Sequence, residues 1–197
     1  MRNEELEALM IESRGGDLEA FSRIVLYFQA PLSRYLVHIV GEHSLAEDLT
    51  QDTFLELFES LQRTDLEVRR VRAWLYKAAT NNALSVIRRR KRFAWGPLAW
   101  LLESTSHTAY ETQNDTTAIE RQMVRETLAK LPPVHAACLL MHDSAGFKCA
   151  EIAEQQGISL DAAKQRLARA RRAFIKAYKD SGSLEAPEHV EKDNAHV

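Results

Sequence analysis

Three short stretches carry the side chains best suited to acting on another molecule. AEDLTQDTFLELFES, at 46–60, holds Glu47, Asp48, Asp52, Glu56 and Glu59 without one Lys or Arg. Carboxylates at four-residue spacing share a helix face, where they could hold a divalent cation or meet a cationic partner. A metal centre would need a His or a second carboxylate cluster beside them, and neither is present in the pattern. No metal, cofactor or catalytic residue is therefore assigned. The other two stretches have the opposite sign. VRRVRAWLYKAATNNALSVIRRRKR, at 68–92, mixes cations with Thr80 and Asn81, and KQRLARAR, at 164–171, mixes them with Gln165. Cations grip phosphate without reading sequence, whereas Asn, Gln and Thr hydrogen-bond base edges.

The charge is segregated more sharply than the overall net charge of −2 suggests. Tyr35 to Gln62 contains no Lys or Arg; Arg63 to Arg92 contains ten basic residues against Asp65 and Glu67. Ala99 to Glu120 is acid-only, and Ala162 to Lys179 holds seven cations and no acid. Two cationic blocks, each preceded by an acidic one, imply contact with a polyanion at two places and a different partner between them. No apolar run approaches a membrane span, so the chain is read as soluble and cytoplasmic, without membrane insertion. Cys138 and Cys149 have neither zinc-site spacing nor the density of a disulfide scaffold, and are read as reduced thiols on helices.

The elements that must position these groups read as helical throughout, with no period-two strand. Phe21, Ile24, Val25 and Phe28, then Leu32, Tyr35, Leu36, Ile39 and Val40, recur at three- and four-residue steps, with Pro31 expected to open the second helix. In the acidic helix, Ala46, Leu49, Phe54, Leu57, Phe58 and Leu61 form a buried side. Asp48, Gln51, Asp52, Leu55 and Glu59 fall opposite, and Ser44 with Glu47 suggests a capping box. An exposed leucine ringed by carboxylates fits a basic protein partner. In the first cationic block Trp74, Leu75, Ala78 and Val86 can face a core, leaving Arg72, Lys77, Thr80, Asn81, Arg88 and Arg89 outward. CAEIAEQQGISLDAAKQRLARARRAF has the proportions of a helix-turn-helix: a helix through Gln155, a turn at Gly157–Ile158, and a second helix from a Ser159 cap. Its small core would be Ile152, Ala153, Ile158, Ala163 and Leu167. Lys164, Gln165, Arg166 and Arg169 would then face a major groove, with Arg171 and Arg172 on phosphate. Periodicity weakens between residues 93 and 119, which marks a linker.

Taken together, DLEAF at 17–21, AEDLTQDTF at 46–54, RAWLYKAATN at 72–81, the Arg-rich end at 88–92, LP at 131–132, EIA at 151–153, Gly157 and KQRLARAR resemble an alternative sigma factor of the extracytoplasmic-function group. The likeness runs from Asp17 to Tyr178. It implies an all-α chain of two small domains: sigma region 2 at 1–92, a flexible linker at 93–119, sigma region 4 at 120–179, and a disordered tail at 180–197. It further implies that Asp48, Gln51, Asp52, Leu55 and Glu59 dock on the beta-prime clamp helices of core RNA polymerase. Arg72, Lys77, Thr80, Asn81, Arg88 and Arg89 would serve the minus-10 element, with a base pocket rimmed by residues 63–71. Lys164, Gln165, Arg166, Arg169, Arg171 and Arg172 would serve the minus-35 element, and the beta flap, promoter DNA and an anti-sigma factor complete the implied partners.

The chain departs from that pattern at Ser85, at Asp161-Ala162-Ala163, in PPVHAAC at 132–138 and in the apolar FAWGPLAWLL at 93–102, which leaves the promoter sequence open. Two other readings stand beside it. A stand-alone helix-turn-helix regulator accounts for the last domain only. A sigma-like decoy that binds an anti-sigma protein leaves the cationic faces without a purpose.

Overall fold

The apolar spacing after Asp17 produces a single 23-residue helix in the computed structural model, which describes residues 1–63, 67–94 and 116–181. All regular structure among the described residues is helical, and the chain divides into two units, 1–108 and 109–197. The first unit contains α1 (Asn3–Arg14), α2 (Leu18–Val40), α3 (His43–Arg63) and α4 (Val68–Ala94). The second contains α5 (Thr116–Ala129), α6 (Pro133–Leu139), a π-helical turn (Leu140–Ser144), α7 (Cys149–Gln156) and α8 (Leu160–Asp180). The expected linker is thus helical at residues 93–94 and 116–119. Residues 95–115, with Trp95, Gly96 and Trp100, lie outside the described residues, as does the expected tail from Gly182 on.

In the first unit Asp17 caps α2, its carboxylate accepting from the Glu19 and Ala20 amides at 2.8 and 3.1 Å. Pro31 does not open a helix, contrary to expectation; α2 runs straight through it. A mid-helix proline removes one backbone hydrogen bond and costs about 3 kcal/mol. Burial of Ile24, Phe28, Leu32, Tyr35 and Leu36 on both sides of it offsets that cost. Gly41, at φ 78°, ends the helix in a conformation that a side chain would strain.

The start of α3 also differs from expectation. Glu42, not Ser44, precedes the helix: its carbonyl accepts from the Ala46 amide at 3.0 Å, and Ser44 already sits in the first turn, donating to Glu42 Oε1 at 3.0 Å. Glu47 lies 3.2 Å from His43 Nδ1. The Glu42 carboxylate satisfies the helix dipole and is held at 2.8 Å by Arg90 from the far end of α4. That hydrogen bond keeps the Glu42 carboxyl below its ordinary range.

The second unit is built around α8. Ala136, Ala137 and Cys138 of α6, Met141 of the π turn and Ile152 of α7 are buried with Ala163, Leu167 and Ala170 of α8. The helix-turn-helix forms as the sequence suggests. Gly157 ends α7 at φ 63°, and Ser159 Oγ accepts from the Ala162 amide at 3.1 Å. Four of the five expected core residues are buried; Ile158 is half-buried. Burial pushes the Cys138 thiol up to about 11, which keeps it protonated and inert, and both cysteines are free.

Candidate functional site

The outer face of α3 is built by the period of its buried side. Leu49, Thr50, Thr53, Phe54, Leu57 and Leu61 are buried, which turns Asp48, Gln51, Asp52, Leu55 and Glu59 to solvent. All five expected residues of this face are exposed, and Leu55 is 63% exposed. Beside them α3 and α4 enclose an open groove of about 390 Å³, its walls supplied by Asp52, Leu55 and Glu56 from one helix and Asn82, Val86 and Arg89 from the other. Two bonds orient the carboxylates. Glu59 accepts from Arg63 at 3.0 Å, and Glu56 accepts from Asn82 Nδ2 at 2.9 Å. Glu56 and Asn82 were outside the expected set. Their four-residue offsets from Asp52 and Val86 were readable, but the bond between them joins different helices.

On α4, Arg72, Lys77, Asn81, Arg88 and Arg89 are exposed, as expected. Helical spacing gathers Lys77, Asn81 and Arg88 on one line, with Arg89 turned toward the α3 groove and Arg72 away from that line. Thr80 does not belong to this surface. It is 5% exposed, with its hydroxyl 2.6 Å from the Tyr35 hydroxyl and 2.6 Å from the Tyr76 carbonyl. A threonine can bond the carbonyl one turn back and so satisfy itself inside a core. Of the loop expected to rim a base pocket, residues 64–66 lie outside the described residues, and Val71 is fully buried.

On α8 the six expected residues separate into two groups. Lys164, Gln165, Arg169 and Arg172 are exposed. Arg166 is half-buried and bonds Gln156 Oε1 at the end of α7. Arg171, its side chain 15% exposed, donates to Asp143 Oδ1 at 2.9 Å and lies 3.2 Å from His142 Nδ1, both in the π turn. Burial, and then the positive charges of Arg166 and Arg169, lower the His135 pKa, so that its ring adds no positive charge at neutral pH. Among the described residues no cluster of His, Cys, Asp and Glu could hold a metal ion, and no helix is long and apolar enough to cross a membrane.

The second unit thus presents a helix-turn-helix, and the first an acidic face on α3 beside a cationic α4. The sigma-70 region 2 family matches residues 24–93, and the sigma-70 region 4 family matches residues 121–174. The chain belongs to the sigma-70 family, in its extracytoplasmic-function group. It is similar to RNA polymerase sigma factor SigZ of Bacillus subtilis, 26% identical over 144 residues, which span 73% of this chain and 78% of SigZ. The extracytoplasmic-function sigma factor SigL of Mycobacterium tuberculosis is 27% identical over 146 residues, spanning 74% of this chain and 81% of SigL. In fold it matches the sigma factor RpoE of Bartonella quintana, solved in complex with the anti-sigma factor NepR. That match has a TM-score of 0.65 and 23% identity, and covers 81% of this chain and 96% of RpoE. The protein is an alternative sigma factor: it binds core RNA polymerase and promoter DNA, directs transcription initiation, and is not itself an enzyme.

Proposed function

We propose that the sigma factor divides its work among three surfaces. Asp48, Gln51, Asp52, Leu55 and Glu59 of α3 dock on the beta-prime clamp helices. Lys77, Asn81, Arg88 and Arg89 of α4, with Arg72 at its start, bind and open the minus-10 element. Lys164, Gln165, Arg169 and Arg172 of α8 serve the minus-35 element. Thr80 is left out because it is buried, and Arg166 and Arg171 act by holding α8 rather than by touching DNA. Region 2 accordingly extends to the end of α4 at Ala94, and region 4 from the start of α5 at Thr116 to the end of α8 at Asp180; the second unit also meets the beta flap. On this reading the protein acts in the cytoplasm, where RNA polymerase works. An anti-sigma factor is its regulator, a reading supported by the partner of RpoE.

The observation that carries this reading is the carboxylate-rich α3 face centred on an exposed leucine. A leucine left in water forgoes about 1.5 to 3 kcal/mol of burial, which a docking partner can recover. Carboxylates around it select a cationic partner and speed encounter. The double substitution Asp52→Lys with Leu55→Ala removes both features without touching the core. It should abolish capture of core polymerase while circular dichroism stays that of the wild type. Undiminished capture by a folded double variant would remove the clamp-docking assignment.

A further inference from the structure

Every exposed position of α8 is polar or charged except two, Leu160 and Ala168. Leu160 follows the Ser159 cap directly and is 44% exposed, the one large apolar side chain left so open among the described residues of the second unit. Leu160, Lys164 and Ala168 follow each other at four-residue steps, with Gln165 adjoining them. The orientation of this strip is set from the other side: Ala163, Leu167 and Ala170 are buried. Leu160 and Ala168 therefore flank, one turn before and one turn after, the two side chains best suited to read a base.

We propose that Leu160 and Ala168 read the C5-methyl groups of two thymines in the minus-35 element. This rests on the reading that α8 enters the major groove. Among the four bases only thymine presents a methyl group there, and apolar contact is how a protein recognises it. Leu160 gains burial of an apolar surface that the fold leaves in water. Ala168, having no long side chain, lets the helix approach closely enough for its own methyl to make contact, while Lys164 and Arg169 reach past it. Eight residues of helix span about 12 Å, on the order of three base-pair steps. The two thymines accordingly lie on opposite sides of the base pair whose preference depends on Gln165.

The test uses holoenzyme reconstituted from core RNA polymerase and the full chain. A preferred minus-35 sequence is first selected from a randomised library. Each thymine, on either strand, is then replaced singly by deoxyuridine, which removes the methyl and keeps every hydrogen bond. Promoter binding should fall about three- to fivefold at two positions, the effect of withholding one methyl burial. Leu160→Ala should abolish the uracil effect at one of them, and Ala168→Gly or Ala168→Ser at the other. A variant that merely loosens the helix lowers binding to both templates alike, so the thymine-to-uracil ratio is the readout. Base preference with no uracil-sensitive position overturns the proposal and spares the groove reading, as does uracil sensitivity unchanged in the variants. Absence of any minus-35 preference overturns both.

Discussion

Replacing Arg171 and Arg172 one at a time separates a cation that holds the protein from one proposed to hold DNA. The two are adjacent on α8 and indistinguishable by type, yet Arg172 is exposed while Arg171 is 15% exposed and bonded to Asp143 at 2.9 Å. A hydrogen bond to a charged partner contributes about 1.5 to 3 kcal/mol when shielded. Asp143 is 40% exposed, so solvent screening reduces that contribution. Lost packing of the Arg171 stem restores part of it. Arg171→Ala should therefore destabilise the second unit by about 1 to 2 kcal/mol, and amide exchange across α6 to α8 should speed up about 5- to 30-fold. The slope of log binding constant against log salt for the holoenzyme on duplex minus-35 DNA should not change. Arg172→Ala should do the reverse: exchange unaltered, and the slope shallower by about 0.9, the yield of one lost phosphate contact. If Arg171→Ala leaves exchange untouched and flattens the slope by about one, the ion pair with Asp143 gives way to phosphate in the complex, and the division drawn between the two arginines is wrong.

Two further substitutions probe the first unit. Thr80→Val removes the 2.6 Å bonds of the Thr80 hydroxyl to the Tyr35 hydroxyl and the Tyr76 carbonyl and should cost about 1 kcal/mol in urea unfolding, with base preference at the minus-10 element unmoved; a changed preference would overturn the assignment of Thr80 to the core. Arg90 holds the Glu42 carboxyl below its ordinary value of 4.5, so this group's stabilisation is present above about pH 4.5 and is lost as pH falls through the lower folded value. Glu42→Gln should remove that part of the acid dependence in a pH titration followed by circular dichroism, and an unchanged acid limb would refute the pairing.

The sequence made the helices and the helix-turn-helix legible because both are written in local terms. Apolar spacing names the buried side, and Gly157 and Ser159 each act within one turn. Pro31 misled because its local cost is outweighed by residues packed on both sides of it. Ser44 misled by two positions: either Glu42 or Ser44 can cap, and Arg90, 48 residues away, favours Glu42. Thr80 was read as outward from its polarity, though its hydroxyl is satisfied by Tyr35 and by its own helix. The same limit holds at the DNA surface. The sequence reading put six α8 side chains on DNA, but Arg166 and Arg171 have partners 10 and 28 residues away, on α7 and the π turn. Composition identified the surface; only the packing says which cations remain available to a ligand.

That distinction accounts for how opposite charges coexist on one small unit. An acidic helix packed beside a cationic one could neutralise itself, with each carboxylate taking the nearest arginine and neither face left to attract a partner. Here the bonds between them fall at the margins: Arg90 pairs with Glu42 ahead of α3, and neutral Asn82 bonds Glu56 at the groove. Those bonds fix α4 against α3. Asp48, Asp52 and Leu55 stay on one side, and Lys77, Asn81 and Arg88 are left exposed on α4. Away from Arg89 in the groove and the Arg63–Glu59 pair, each face keeps one predominant sign, which is what encounter with a cationic protein and with a polyanion separately require. On the proposed division of surfaces, polymerase docking through α3 would bring the α4 cations to the DNA as a rigid set, because the two helices share one core.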